Sequence, residues 1–202
     1  PVLGESRGMT YPLLIIIAAP SGGGKSTILK RVFSEVPNLL FSISHTTREP
    51  RAGEQNGREY FFVDEPTMRA LIGRGAFLEW AEVHGKLYGT SRAELDRARS
   101  LGKDLVLDID VQGAAQIVKA YPAALSIFVR PPSMDVLKER LLGRGSDSPD
   151  AIGLRLRNAE IELGRMGEFR HVVVNDRLAE AVRAVKEIIV AARAAREDRD
   201  EE

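Results

Sequence analysis

Near the start of the chain, Ala18-Ala19-Pro20-Ser21-Gly22-Gly23-Gly24-Lys25-Ser26-Thr27 combines three glycines with a lysine and three hydroxyl residues. Glycine lets the backbone bend so that successive N–H groups converge on one point. A helix beginning there adds unpaired donors and the positive end of its dipole. Such a concave set of donors is a phosphate cradle, and the spacing follows the pattern G-x-x-x-x-G-K-S/T. Lys25 would reach the β- and γ-phosphates of a nucleoside triphosphate, and the Ser26 hydroxyl would ligate the magnesium ion carried with it. Ala19, Pro20, Ser21, Gly22, Gly23, Gly24, Lys25, Ser26 and Thr27 are therefore the expected triphosphate-contacting stretch. One position departs from the pattern: five residues before Gly24 stands Ala19, where the pattern has glycine.

A cradle needs a strand before it and a helix after it. Leu13 to Ile17 is an apolar run, and Ile28, Leu29, Val32, Phe33 and Val36 recur at helical spacing, so both are expected. Further along, Leu39–Ser42, Leu105–Asp108, Leu125–Val129 and Val172–Val174 read as strands. Met134, Leu137 and Leu141, then Leu178, Val182, Val185 and Ile189, mark helices. Alternating strands and helices predict an α/β fold, a parallel-sheet core with helices on both faces and ligands at the carboxyl ends of the strands.

Two segments interrupt this order. Residues 44–91 read as an inserted mixed α/β subdomain, with Asn56-Gly57 as a hairpin signal before the strand-like Tyr60-Phe61-Phe62-Val63 and with Trp80 in its core. Residues 143–167 read as a helical lid, with Ile152, Leu156, Ala159 and Leu163 in one apolar stripe. The core is then 12–43, 92–142 and 168–196. Residues 1–11 are expected to be a disordered extension, with Met9 a candidate start, and 197–202 a charged tail on a fraying helix without apolar anchors.

With 29 basic and 29 acidic side chains the formal net charge is zero, which disfavours a protein that coats nucleic acid but permits local cationic sites for nucleotides. The absence of cysteine excludes disulfides and thiolate metal sites. His45, His84 and His171 lack ligand spacing. The longest apolar run is too short to span a membrane, and no basic-plus-apolar leader precedes it, so a cytoplasmic protein without a membrane partner is expected.

The insert carries a second constellation. Ser44-His45-Thr46-Thr47-Arg48-Glu49-Pro50-Arg51-Ala52-Gly53-Glu54 is followed by Tyr60, by Phe77-Leu78-Glu79-Trp80 and by Tyr88-Gly89-Thr90. The core adds Leu107-Asp108-Ile109-Asp110-Val111-Gln112-Gly113, and Gly143-Arg144-Gly145 opens the lid. In this order the motifs closely resemble the guanylate kinase family from about Leu13 to the final helix. The resemblance implies phosphorylation of GMP, with dGMP as a second substrate, by ATP and magnesium to give GDP and ADP.

It also implies roles. Glu79 and Asp110 would accept the guanine N1 and N2 protons while Ser44 and Thr90 face O6. Arg48 and Arg51 would clamp the GMP phosphate, helped by the Tyr60 and Tyr88 hydroxyls, with Glu54 holding the arginines. Arg140, Arg144 and Arg155 would close over the transferring phosphoryl with Lys25 and Arg48 as the catalytic cations. Asp108 suits a place in the GMP site as an arginine-orienting group, or in the magnesium shell through water. Asn175 and Asp176 would border the adenine. Scaffold modules of similar sequence bind peptides, but they need neither Gly24-Lys25-Ser26 nor lid arginines. A nucleic-acid-dependent ATPase or a sugar-phosphate kinase would have no use for Glu79 and Asp110 as base readers.

Overall fold

The central strand β1 (Leu14–Ala18) is buried along its whole length, and its side chains divide between two cores. The computed structural model describes residues 12–83, 85–143 and 149–200, so Arg144, His84, the 1–11 extension and the last two residues of the tail lie outside the described residues. Ile15 and Ile17 pack with Ile28, Leu29 and Val32 of α1 (Lys25–Glu35) and Val182, Val185 and Ile189 of α7 (Leu178–Asp200). Leu14, Ile16 and Ala18 face Leu95 and Ala98 of α3 (Arg92–Leu101) and Ala114 and Ile117 of α4 (Val111–Ala120). A strand covered on both faces has no solvent side, which is why its sequence is continuously apolar. Burial contributes about 2 kcal/mol per aliphatic side chain. Ile15, Ile16 and Ile17 therefore anchor the following loop more firmly than single loop hydrogen bonds, each worth about 1 kcal/mol.

Around β1 lies a five-stranded parallel sheet in the order β2 (Leu39–Phe41), β7 (Asp104–Asp108), β1, β8 (Leu125–Arg130), β9 (His171–Val174). Ile17 lies opposite Asp108, so the ends of β1 and β7 present the loop and a carboxylate side by side.

The second sheet is built from residues 45–91 in the order β4 (Phe61–Phe62), β3 (His45–Thr46), β6 (Lys86–Ser91), β5 (Phe77–Val83), with Met68 of α2 (Glu65–Gly73) packed against Phe77 and Leu87. Its hairpin is β5–β6, closing at Gly85. Asn56-Gly57 is not a hairpin turn. The Gly57 N–H donates to the Tyr60 carbonyl at 2.8 Å, the Asn56 side chain accepts from the Phe62 N–H, and β4 runs parallel to β3, so the segment folds on itself. Trp80 is 41% exposed rather than core. An irregularity between Phe77 and Glu79 sets the strand so that Glu79 lies opposite Thr90 and faces inward, and the next side chain must turn out.

α5 (Met134–Leu142) and α6 (Pro149–Gly164) pack through Leu137, Leu141, Ile152 and Ala159. The final helix continues to Asp200, and its end has ionic anchors in place of apolar ones. Arg193 donates to Asp104 Oδ2 at 2.7 Å and to the Pro37 carbonyl at 2.8 Å.

Candidate active site

The phosphate loop joins β1 to α1. Its left-handed residues are Gly22 (φ 88°) and Gly24 (φ 87°), which take the positions a side chain would strain. Ala19 is not among the positive-φ residues, so alanine fits where the pattern has glycine. Gly22 also lies against Leu137 and Leu141, and Gly24 against the side-chain amide of Asn175. Lys25 forms an ion pair with Asp108, and its Nζ lies 3.4 Å from the Ile109 carbonyl.

The loop from Ala19 to Thr27 forms one wall of a cavity of about 400 Å³. Facing it are Ser44, Tyr60, Glu79, Tyr88, Asp108, Asp110 and, from α6, Glu162. Residues expected to bind two different molecules thus line one space.

Glu79 is 4% exposed, and its carboxyl is pushed up to about 7, chiefly by burial, with the charge of Asp110 adding. Hydrogen bonds from Thr90 oppose that rise. The Thr90 hydroxyl gives its hydrogen to Glu79, so in its 3.3 Å contact with Ser44 it acts as acceptor. Thr90 is fully buried and is not part of the cavity wall; here it supports Glu79, whereas Ser44 faces the cavity. Asp110 caps α4 by accepting from the Gly113 N–H at 2.9 Å, and it lines the cavity as well.

Arg48, Arg51 and Glu54 are not part of the cavity wall, and the Arg48 guanidinium lies against Tyr60, which is. Arg48 Nη2 donates to both Glu54 oxygens at 2.9 Å, and its guanidinium lies 5.3 Å from the Tyr60 ring centroid and 5.7 Å from that of Phe62. Glu54 also accepts from the Arg51 N–H at 2.7 Å. That bond first, and Arg48 after it, holds its carboxyl below the ordinary value. The Arg51 side chain is exposed. Tyr60 and Tyr88 meet edge to face at 5.9 Å, and burial, then the charge of Asp108, raises the Tyr60 phenol.

The expected lid cations are spread out. Arg140 lies on α5 and donates to the Asn175 carbonyl at 2.9 Å. Arg155 lines a smaller cleft of about 240 Å³ with Ser21, Asp110, Glu162 and Arg165. Arg144 is outside the described residues. The side chain of Asn175 is turned onto the phosphate loop, donating to the Gly23 carbonyl at 2.8 Å.

Two residues of this site carry no expectation from the sequence. Glu162 reaches the phosphate loop, where it accepts from the Ser21 N–H and feels the charge of Lys25; burial nevertheless raises its carboxyl. In sequence it is one acidic residue beside the apolar stripe of α6, with nothing to set it apart. Gly113 leaves the space that the Glu79 carboxylate fills, since a Cβ there would meet Glu79 Oε2. Its signal was present: glycine in a first helical turn weakens the helix and marks a close approach.

Among the described residues, no cluster of three or more His, Cys, Asp or Glu could hold a metal ion, and no helix is long and apolar enough to cross a membrane.

The profile of the guanylate kinase family matches residues 11–192. The chain is 48% identical over 176 residues to a guanylate kinase of Dechloromonas aromatica, covering 87% of each protein. It is 45% identical over 181 residues to one of Geobacter metallireducens, covering 90% of this chain and 89% of the relative. Its fold is similar to the crystal structure of guanylate kinase from Anaplasma phagocytophilum, with a TM-score of 0.71, 30% identity and coverage of 90% of this chain and 86% of that one. With the profile spanning nearly the whole chain and relatives this close in sequence and in fold, the chain belongs to the guanylate kinase family.

Proposed function

We propose that the cavity transfers the γ-phosphoryl group of ATP to GMP, giving ADP and GDP, with dGMP as a second acceptor. The observation that carries this reading is the shared space: the phosphate loop and Lys25 on one side, and Glu79, Asp110 and Ser44 on the other. Guanine presents donors at N1 and N2 and an acceptor at O6. Glu79 and Asp110 supply acceptors, and the Ser44 hydroxyl can donate. A wrong base would leave these groups unpaired, at a cost of about 10⁴-fold in selectivity.

Arg48, preorganised by Glu54 and stacked on Tyr60, clamps the acceptor phosphate together with Arg51 and the Tyr60 and Tyr88 hydroxyls. An oxygen of that phosphate attacks the γ-phosphorus, and the bond from the γ-phosphorus to the ADP oxygen breaks. Lys25 leaves Asp108 to stabilise the charge on the transferring group, and Arg140, Arg144 and Arg155 close over it. Closure of α6 and the insert excludes water, which would otherwise hydrolyse ATP.

Magnesium binds oxygen donors and keeps several waters. The Ser26 hydroxyl and the Asp108 carboxylate line the cavity and fit it, Ser26 directly and Asp108 through water. When bound, the ion would neutralise phosphate charge during the transfer.

A coupled assay with ATP, magnesium and GMP, dGMP, AMP or UMP tests the reading. GMP and dGMP should turn over, with AMP and UMP slower by at least about 10³-fold. Equal rates for all four, or no GDP formed, refute it.

A further inference from the structure

Strand β5 is an edge of the insert sheet, paired with β6 on one side only. Glu79, Ala81 and Val83 line the cavity, and Trp80 and Glu82 between them are exposed. Trp80 lies opposite Gly89 of β6, yet both of its backbone groups are taken from the other side, by α4. Its N–H donates to Gln116 Oε1 at 3.2 Å, and its carbonyl accepts from Gln116 Nε2 at 2.7 Å. One turn earlier on the same helix, Gln112 Nε2 lies 3.4 Å from the Glu82 carbonyl and donates to Asp110 Oδ2 at 3.0 Å. Two side-chain amides thus stand where a neighbouring strand would pair with the open edge.

We propose that Gln116 is a positioning residue for base selection, its amide pinning β5 to α4 at Trp80 so that Glu79 and Asp110 keep the spacing that reads two donors of one guanine.

The two carboxylates belong to different parts of the molecule. Asp110 is fixed within α4, its Oδ1 accepting from the Gly113 N–H at 2.9 Å and its Oδ2 from Gln112. Glu79 belongs to the insert and reaches α4 only where Gly113, lacking a Cβ, leaves room for it. The distance between the carboxylates therefore depends on how β5 is set against α4, and on neither element alone. Pairing with β6 sets it loosely, because that ladder is irregular between Phe77 and Glu79. The charge of Asp110 also bears on Glu79 and works to part the two groups. Gln116 resists both effects one residue away from Glu79. Only an amide can do so at a single point, since it offers an acceptor to the Trp80 N–H and a donor to the Trp80 carbonyl.

The inference rests on the reading of this pocket as a guanine site. Gln116→Leu removes both bonds, and because position 116 is exposed and leucine is a good helix former, α4 stays intact. The test compares GMP with inosine monophosphate, which has the N1 donor and O6 but lacks the 2-amino group. The kcat/KM for GMP should fall by about tenfold, because two donors can no longer be met at once. With one donor to satisfy, inosine monophosphate should lose about threefold or less. The preference for GMP should therefore shrink, with the KM for ATP unchanged. Equal losses for both acceptors would reduce Gln116 to a support of the fold and overturn the proposal. So would a variant indistinguishable from the parent.

Hydrogen exchange in the free protein gives a second measurement that needs no substrate. The Trp80 N–H should exchange about tenfold faster in Gln116→Leu, while the Leu107 N–H in the core sheet keeps its rate. Gln116→Ala, which adds no apolar bulk at the exposed position, should reproduce the change. An unaltered Trp80 rate in both variants overturns the proposal. If the parent chain makes no GDP, the functional reading fails; if it is active and Gln116→Leu keeps its preference for GMP, only this inference fails.

Discussion

Glu79 Oε1 accepts two hydrogen bonds from Thr90, one from its backbone N–H at 2.9 Å and one from its hydroxyl at 2.6 Å. Both bonds favour the ionised carboxylate, yet burial wins and the carboxyl titrates at about 7. The free pocket therefore holds a carboxyl that is half protonated near neutrality, while guanine needs it ionised. Binding of GMP should draw a proton off Glu79, and the KM for GMP should rise about tenfold per pH unit below 7. Glu79→Gln should abolish that slope and raise the KM for GMP at pH 8, with the KM for ATP unchanged. A slope that survives in the variant assigns the titration elsewhere.

The same shift has a consequence for stability. A carboxyl raised from 4.5 to about 7 binds more protons folded than unfolded, so its contribution is fully present below pH 4.5 and is lost as pH rises through 7. Free Glu79→Gln should match the parent in unfolding free energy near pH 4.5 and exceed it at pH 8, by an amount on the order of 1–3 kcal/mol. Calorimetry at the two pH values checks this, and equal differences at both would contradict it.

Gly113 has no Cβ where the Glu79 carboxylate lies. Gly113→Ala should push the carboxylate aside and raise the KM for GMP about tenfold or more, leaving the KM for ATP near its parent value. Alanine also favours the helix by about 1 kcal/mol, so a general loss of folding is not expected. Combining it with Glu79→Asp, whose shorter side chain makes room, should shrink the effect of the alanine. Additive losses would show that the two positions do not interact.

Lys25 is paired with Asp108. Lys25→Ala should lower kcat/KM by about 10³-fold, while GMP affinity by titration calorimetry stays within about threefold. A parallel loss of GMP affinity would mean that the insert depends on the loop for its shape.

Arg48 holds Glu54 with two bonds from one nitrogen and lies over two aromatic rings, and a lysine lacks the planar fork that leaves further nitrogens for a phosphate. Arg48→Lys should weaken GMP by about 10- to 100-fold while leaving guanosine, which lacks the phosphate, unaffected. Loss of guanosine binding as well would indicate a collapsed pocket.

Asp104 starts β7 and accepts from the Leu13 N–H at 2.7 Å and from Arg193. It is 7% exposed. Asp104→Ala leaves the guanidinium partly buried without its carboxylate, costing roughly 2–4 kcal/mol and lowering the melting point by about 5–10 °C. Activity at 25 °C should be kept, since the residue is at the opposite end of β7 from Asp108. An unchanged melting point would show that the last turns of α7 add nothing to stability.

Where the sequence was legible, one local rule decided the outcome. The apolar run before Ala19 could only be a strand covered on both faces, and glycines followed by Lys25 and Ser26 could only bend and then start a helix. Leu178, Val182, Val185 and Ile189 marked a buried stripe by spacing alone, and all but the first are fully enclosed. Trp80 and Asn56-Gly57 were misread because pairing outranked propensity. The setting of β5 against β6 turned Trp80 outward, and β4 chose a parallel partner over a hairpin.

The chain's order of residues determined that a triphosphate cradle and a guanine-matched insert would occur together, because both rest on residue type at short range. Only the folded arrangement settled which groups meet. Asn175 lies 152 positions from Gly23 and still holds its carbonyl; Gly113 makes room for Glu79 across two elements; Thr90 spends its hydroxyl hydrogen on a neighbour. Hydrogen bonds and steric contacts act over a few ångströms, and the sheets bring such distant residues within that range in ways that spacing along the chain does not record.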